Sequence, residues 1–215
     1  MRKPEEQSAR SMLIAAGINL FAEKGYASAS VREIVKLAGV TKPVLYYYFK
    51  NKEGLFRAIL DGAAEQQEAL LAKIVNAPGT ALERIITLYN LIYQGMEQNR
   101  HLFRLIHNLV FGPPQGAPAY DLESYHRRMV EAIKAIYVKG VMKGELARAD
   151  PDEVAIMVTG LTDFCFHLYY VDPGSFDPNL PERLLRLAFK GLLLKSEDCG
   201  AFSSSHCCFG RMQRI

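Results

Sequence analysis

Residues 30–49 read SVREIVKLAGVTKPVLYYYF, and this stretch decides the fold of the amino-terminal part of the chain. Ser30 precedes apolar residues at helical spacing and is followed three residues later by Glu33, which is the pattern of a capping box at a helix start. Gly39 ends that short helix, because glycine adopts the left-handed backbone of a tight turn without steric cost. Thr41 can cap the next helix. The stretch therefore predicts two short helices joined by a tight turn.

The second of these helices has two different faces. One face is expected to pack inward and carries Val44, Leu45, Tyr48 and Phe49. The opposite face carries Lys42 near its amino end, then Pro43, Tyr46 and Tyr47. In a helix-turn-helix the outward amino-terminal face of the second helix enters the major groove of DNA. We predict that this face reads DNA.

The outward side chains suit that task. Lys42 can reach a base acceptor or a phosphate, and Thr41 can donate to a phosphate oxygen. The hydroxyls of Tyr46 and Tyr47 can bond phosphates while their rings pack on sugars or thymine methyl groups. Lys52 begins the following helix, where a phosphate would meet both its ammonium and the helix amino terminus.

Simpler interpretations of these residues stay open. The alternative for Tyr46 and Tyr47 is that they are ordinary surface aromatics. The alternative for Lys52 is that it is a solvated lysine. Ser30 and Arg32 open the first helix of the pair, which normally crosses the DNA backbone. Ser30 caps that helix whether or not it also contacts DNA. The alternative for Arg32 is that it forms an ion pair on the protein surface.

The charge distribution agrees with a nucleic-acid partner. The chain of 215 residues has a formal net charge of +3, and residues 1–52 carry nine Lys or Arg against four Glu. The remainder is slightly acidic. A basic segment on an acidic body indicates that the segment meets a polyanion, although a solvated basic surface has the same composition.

Helical spacing continues along the chain, and no alternating strand pattern bounded by turns is present, so we predict an all-α fold. We expect a DNA-binding domain over residues 1–56, joined through a helix that ends near residue 75 to a ligand-binding and dimerisation domain over 57–195, and a loose tail over 196–215. Further helices are predicted at about 80–97, 100–111, 119–143, 151–171 and 180–195.

Composition excludes several classes of protein. Hydrophobic residues make up 49% and charged residues 23% of the chain, which excludes a disordered chain. Uncharged apolar runs fall short of the roughly 18 residues of a membrane span, and the amino end has no secretory signal pattern. Three of the four cysteines lie in the last 17 residues, so no disulfide framework is expected. We therefore expect a cytoplasmic protein with no membrane association and no cofactor.

Further motifs carry a family resemblance. FAEKGY at 21–26, SVREI at 30–34, AGVTK at 38–42 and LYYYFKNKEGL at 45–55 appear in order and without a gap. From about residue 10 to 56 the chain resembles the amino-terminal domain of the TetR family of transcriptional regulators. The resemblance implies an all-helical homodimer, usually a repressor, that binds a palindromic operator and releases it when a small molecule enters the carboxy-terminal domain.

Carried over position by position, the resemblance implies a set of DNA contacts. They are Ser30, Arg32, Thr41, Lys42, Pro43, Tyr46, Tyr47 and Lys52. Two positions depart from the commonest family pattern, since Pro43 stands where glycine is frequent and Tyr48 where histidine is frequent. Neither breaks the helix, but Pro43 puts in doubt which base is touched.

Apolar residues recur at steps of three and four in two helices of the body and predict faces for helix packing. In the helix from Pro151 they are Val154, Val158, Leu161, Cys165 and Leu168, and in the last helix Leu180, Leu184, Leu187, Gly191 and Leu194. Two such helices per subunit can form a four-helix bundle across a two-fold axis. We favour this homodimer, and the alternative is that both faces meet their own core.

The body is rich in aromatic residues and histidine, a composition that can line an apolar ligand cavity. We predict that a small organic effector, aromatic or amphipathic, contacts Tyr89, Tyr93, Phe103, His107, Phe111, Phe164 and His167. For any one of these residues the alternative is an ordinary aromatic core.

Other functions have weaker support. Asp163, Cys165 and His167 crowd one helix, but residues two apart on a helix point in different directions and form no catalytic site by themselves. We therefore predict no catalytic residues and no enzyme. A metal site in the tail at His206 and its neighbouring cysteines is poorly spaced for tetrahedral zinc, so no metal site is predicted. The remaining alternative is an activator, or a regulator controlled by a protein partner.

Overall fold

The computed structural model describes residues 4–114 and 116–192, and all regular secondary structure in that part is helical. The predicted all-α fold is confirmed. The helices are α1 (Pro4–Ser28), α2 (Val31–Leu37), α3 (Lys42–Phe49), α4 (Lys52–Val75), α5 (Ala81–Gln98), α6 (Arg100–Phe111), α7 (Leu122–Met142), α8 (Pro151–Val171) and α9 (Leu180–Phe189).

Local signals in the sequence set the helix-turn-helix. The capping box is present, since the backbone N–H of Glu33 donates to Ser30 Oγ at 3.2 Å and the N–H of Ser30 donates to Glu33 Oε2 at 3.0 Å. Gly39 has φ of 65°, the left-handed conformation that a tight turn requires. Thr41 has extended backbone at the start of α3 but makes no side-chain cap hydrogen bond, so that detail of the prediction is wrong.

The turn from α3 to α4 explains a glycine of the LYYYFKNKEGL motif. Asn51 caps α4 by accepting a hydrogen bond from the N–H of Gly54 at 2.7 Å. A Cβ at Gly54 would lie 1.9 Å from the carbonyl oxygen of Phe49. A side chain at this position would therefore force the α3–α4 corner apart.

The body helices lie close to their predicted ranges. α7 begins at Leu122, not at about 119, because Asp121 caps it by accepting from the N–H of Ser124. α9 ends at Phe189, where the sequence predicted a helix to 195. The predicted tail over 196–215 lies outside the described residues.

The interior divides into two hydrophobic clusters. The head cluster is formed by α1, α2, α3 and the first part of α4 as far as Leu60, together with Leu105 of α6. The body cluster begins on α4 at Leu71 and includes residues of α5, α7, α8 and α9. α4 is continuous through the boundary predicted at residue 56, so one uninterrupted helix connects the two clusters.

Helix α8 is the one described helix that is long and apolar enough to cross a membrane by length and composition. A core helix meets the same criterion, and 39% of its most apolar 18-residue window is buried inside the protein. α8 packs against α7 and α9, and Val154, Ala155 and Val158 belong to the body cluster. Protein neighbours therefore account for the apolar residues on one face of α8.

Candidate functional site

Helix α3 presents a solvent-facing surface of aromatic and basic residues. Leu45 and Phe49 are buried in the head cluster, which fixes the orientation of the helix. Tyr47 is 74% exposed and Tyr46 is 48% exposed. Thr41, Lys42 and Pro43 are also exposed at the amino end of α3. The structure thus places five of the predicted DNA contacts on one exposed helix and its cap, and we call these five the recognition face.

Two of the three remaining predicted contacts, Arg32 and Ser30, lie at the start of α2 and differ from each other. Arg32 is exposed and forms no ion pair within the part of the chain that the structure describes, so its guanidinium is available. Ser30 is exposed, but its hydroxyl donates to Glu33 Oε2 at 2.8 Å and accepts from the backbone N–H of Glu33. Ser30 is therefore a helix cap first, and any contact with DNA would share its hydroxyl.

Glu33 fixes the start of α2 against the end of α1. Its carboxylate accepts from the Lys24 ammonium, from the Ser30 hydroxyl and from the Ser30 backbone N–H. These hydrogen bonds, with the one from Lys24 largest, lower the pKa of Glu33 to about 2. The carboxylate is therefore ionised and paired at neutral pH.

Lys52 has partners inside the protein. Its Nζ donates to the carbonyl oxygens of Tyr26 at 2.9 Å and Ala29 at 3.0 Å, and it lies 4.2 Å from the centre of the Tyr26 ring. The ammonium has three N–H donors, so one remains for a phosphate oxygen. Lys52 thus joins the start of α4 to the α1–α2 junction, a role that the sequence did not reveal because its partners lie 23 and 26 residues away.

The predicted effector residues separate into two groups. In the first group, the inner aromatic cluster, Tyr89 stacks on Phe166 at 5.6 Å, and Tyr93 contacts Tyr169 at 5.3 Å and Phe176 at 5.6 Å. Tyr89 is 3% exposed and belongs to the body cluster, and burial raises its pKa well above the ordinary value. Tyr89 is therefore a core residue of the body.

The second group, the outer aromatic cluster, lies near the surface on α6 and α8. His107 stacks on Tyr170 at 4.1 Å and also contacts Phe111 and His167. Phe111 is 67% exposed, and Phe164, next to His167, is 59% exposed. Burial, followed by the proximity of His167, lowers the pKa of His107 and keeps its imidazole neutral near pH 7.

The structure thus does not bring all seven predicted effector residues to one place. Phe103 is partly buried on α6, and no ring contact joins it to either aromatic cluster among the described residues. Phe166 and Tyr169 contribute to the inner aromatic cluster although they were not predicted as site residues. Phe166 and Tyr169 are three residues apart on α8, and Tyr89 and Tyr93 are four apart on α5, so each pair shares a face of its helix, which was the available signal.

The predicted packing face of α8 is partly wrong. Val154, Val158 and Cys165 are buried within their own chain, because that face of α8 meets α7 and α9. A neighbouring side of α8 carries an exposed apolar stripe, formed by Ile156, Gly160, Phe164 and Val171 together with Leu168, which was predicted at the packing face. Leu187 of α9, which was predicted at the packing face, is 60% exposed. Any partner of α8 would therefore meet the stripe.

The three residues of the weaker catalytic interpretation do not form a site. Cys165 is buried and His167 is exposed, so their side chains leave α8 in different directions. Burial raises the pKa values of both Asp163 and Cys165, so the sulfur is a neutral thiol at pH 7. Within residues 4–114 and 116–192 no group of three metal-ligating side chains comes together.

Comparisons with known proteins agree with the geometry of the head. The sequence model of the bacterial regulatory proteins of the tetR family matches residues 13–59. The HTH-type transcriptional regulator AcrR of Shigella flexneri is 30% identical over 185 residues, which cover 81% of this chain and 84% of that protein. The transcriptional regulator AcuR of Cereibacter sphaeroides is 30% identical over 164 residues, covering 71% of this chain and 72% of AcuR.

A solved structure extends the likeness to the body. The transcriptional regulator FadR from Bacillus subtilis, in complex with stearoyl-CoA, superposes with a TM-score of 0.68 at 21% sequence identity, and the match covers 84% of this chain and 98% of FadR. At this identity the likeness concerns the fold. Together with the two relatives, which are transcriptional regulators, the helix-turn-helix geometry leads to one conclusion: the chain belongs to the tetR family of bacterial transcriptional regulators.

Proposed function

We propose that the protein is a ligand-released repressor that binds a palindromic operator as a homodimer in the cytoplasm. The observation that carries this proposal is the recognition face, in which a helix anchored by Leu45 and Phe49 exposes two tyrosines to solvent. The rings of these two tyrosines suit the sugars and thymine methyl groups of a major groove, and their hydroxyls suit its phosphate oxygens.

The proposed DNA contacts divide by the element that carries them. Thr41, Lys42, Pro43, Tyr46 and Tyr47 form the recognition face, which would enter the groove. Arg32, with Ser30 beside it, would meet the backbone from the start of α2. Lys52 would donate its third N–H to a phosphate while its other two stay on carbonyl oxygens.

The apolar stripe of α8 and Leu187 of α9 support the homodimer. Ile156 and Val171 are each 66% exposed, and Phe164 lies between them along the helix at 59%. Gly160 has open space where its Cβ would lie, so a second helix can approach closely at this point. A two-fold axis through the stripe would place the recognition faces of the two subunits on the same side of the dimer. Each face could then meet one half of a palindromic operator.

Two features support control by a small organic effector. The inner aromatic cluster offers rings on α5 and α8 between which an aromatic or amphipathic molecule could insert. FadR, which shares the fold, is described in complex with stearoyl-CoA. α4 would carry the change to the head, since it is one continuous helix that Lys52 fastens to the α1–α2 junction.

The first test is selection of genomic fragments by the purified full-length protein, followed by footprinting at two salt concentrations. We expect a protected palindrome with half-sites about one helical turn apart, and binding that weakens with salt as phosphate contacts require. The test variant is Tyr47→Ala, which truncates a side chain of the recognition face that is 74% exposed and should weaken the protection without lowering stability.

Weak binding to every fragment, with no protected site, would contradict the proposal. A protected site that raises transcription of the adjacent gene in a reporter assay would favour the activator. If a protein releases the regulator from DNA and small molecules have no effect on DNA binding, control by a protein partner would be favoured.

A further inference from the structure

The turn between α3 and α4 has an uncommon backbone conformation at Lys50. Among the described residues other than glycine, Lys50 alone has a positive φ, which is 65°, and its ψ is −41°. The N–H of Asn51 donates to the carbonyl oxygen of Phe49 at 2.7 Å, which closes a three-residue turn with Lys50 at its centre. These angles and this hydrogen bond are close to those of the γ-turn with positive φ, which is rare and strained.

Neighbouring contacts hold this strained turn in place. Asn51 caps α4 by accepting from the N–H of Gly54 at 2.7 Å, and a Cβ at Gly54 would lie 1.9 Å from the Phe49 carbonyl oxygen. On the other side, the N–H of Lys50 donates to the carbonyl oxygen of Tyr46 at 2.9 Å. Glycine would adopt this backbone without strain, so a lysine here lowers stability. Strained residues cluster at sites of function, which directs attention to the Lys50 side chain.

Lys50 extends the recognition face. Its N–H makes a helical hydrogen bond to Tyr46, four residues earlier, so its Cα lies one turn beyond Tyr46 on the outer side of α3. The face that Tyr46 and Tyr47 define therefore continues at Lys50, which follows them at the spacing of residues that share a helix face. Lys50 is exposed, and its ammonium has no ion-pair partner within residues 4–114 and 116–192.

Positive charges gather around Lys50. The guanidinium of Arg10 lies 5.6 Å from the centre of the Phe49 ring, and Lys52 begins α4 two residues after Lys50. None of these three basic residues forms an ion pair in the part of the chain that the structure describes. Glu53, the nearest acidic residue in sequence, is paired with the arginine one turn later on α4 at 2.9 Å. A corner that collects like charges in this way is suited to a polyanion.

We propose that the ammonium of Lys50 binds a phosphate oxygen of DNA at the carboxy end of the recognition face. A lysine binds phosphate as a point charge, and phosphate contacts carry no sequence information, so this contact positions α3 and selects no base. The strained turn keeps a cation at a place where glycine would be more stable. The inference rests on the proposed function, because it adds a contact to the same DNA interface.

The test uses the full-length protein and a fluorescein-labelled, random-sequence duplex of about 30 base pairs, which is about three turns of DNA. Binding is followed by fluorescence anisotropy between about 50 and 200 mM KCl, because phosphate contacts are independent of sequence and weaken with salt. Lys50→Met removes the ammonium and keeps the strained backbone, whereas Lys50→Gly removes both. Lys50→Arg keeps the charge. The matched control is Lys73→Met, which removes an exposed lysine from the last turn of α4.

We expect Lys50→Met and Lys50→Gly each to lose about one ion of salt dependence. The ratio of affinities at the two ends of the salt range should then be about 3-fold smaller than in the wild type. Lys50→Arg and Lys73→Met should keep the wild-type ratio. Lys50→Gly should also melt about 2 °C or more above Lys50→Met, because glycine adopts the turn without strain.

Four results would each overturn the inference. They are absent binding of the duplex by the wild type, an unchanged salt ratio in Lys50→Met, an equal loss of salt dependence in Lys73→Met, and a Lys50→Gly variant that melts no higher than Lys50→Met. The third result would trace the effect to net charge alone.

Failure of this inference is separable from failure of the proposed function, because footprints of the wild type on genomic fragments report on the operator. A protected palindrome with an unchanged salt ratio in Lys50→Met would uphold the regulator and refute the contact. A salt ratio that falls in Lys50→Met as expected, with no protected site on any fragment, would uphold the contact and contradict the operator-binding repressor.

Discussion

Replacement of Lys52 by methionine tests whether this residue fastens α4 to the α1–α2 junction. Methionine keeps the apolar stem and removes the ammonium, which donates to Tyr26 and Ala29 and lies over the Tyr26 ring. Hydrogen bonds to a charged group contribute about 1.5–3 kcal/mol each, and an exposed cation–π contact about 0.5–1 kcal/mol. Because Lys52 is only half-buried and water can replace part of these bonds, we expect a loss of about 3 kcal/mol in the free energy of unfolding.

The assay is thermal and urea denaturation followed by circular dichroism. For a chain of this size each kcal/mol shifts the melting temperature by about 2–4 °C, so Lys52→Met should melt about 6–12 °C lower. Lys36→Met is the control, since Lys36 is exposed on α2 and has no such contacts among the described residues. A melting temperature within about 1 °C of the wild type would refute the internal role of Lys52.

The salt dependence of operator binding tests the second role of the same residue. If the third N–H of Lys52 meets a phosphate, the slope of log affinity against log salt should fall by about one ion in Lys52→Met. A lower melting temperature with an unchanged slope would leave Lys52 with a structural role alone.

Three further predictions concern separate surfaces. Tyr47→Ala should weaken operator binding about 10-fold in a gel-shift assay without changing the melting temperature, since the ring is 74% exposed; unchanged affinity would remove it from the interface. Phe164→Glu should convert a dimer into a monomer of 24.1 kDa in sedimentation experiments, and a dimer that persists would contradict the role of the α8 stripe. The pKa of Glu33 is lowered to about 2 in the folded protein, so the stability that its carboxylate confers is present above the ordinary value of 4.5 and is lost as pH falls towards about 2. The variant Glu33→Gln should lack this loss between pH 4.5 and 2 in acid denaturation followed by circular dichroism, and a parallel loss in both proteins would refute the assignment.

The head was predictable because its signals are local. Ser30, Glu33 and Gly39 each act on backbone within a few residues, so spacing alone gives the helix boundaries and the turn. The inward and outward faces of α3 follow from helical periodicity in the same way. The partners of Lys52 were not predictable, because the contact exists only once α1 and α4 have packed together.

The body was less predictable because α8 is apolar on both sides. Val158 and Phe164 are both hydrophobic, and periodicity cannot decide which of the two packs into the core of its own chain when both faces repeat at helical spacing. The structure buries the first and exposes the second. Gln67 interrupts an otherwise apolar face of α4 and is only 6% exposed, and its burial could not be predicted because most glutamines lie on the surface.

The fully buried Leu105 has a consequence for the construction of hybrid regulators. This side chain comes from α6, which packs against α1, and it completes the core beneath the helix-turn-helix. A fusion that joins residues 1–56 to the body of another regulator would leave this part of the core without its α6 residue. Exchangeable units in this protein are therefore discontinuous in sequence, and a working chimera should carry the inward-facing residues of α6 together with the amino-terminal helices.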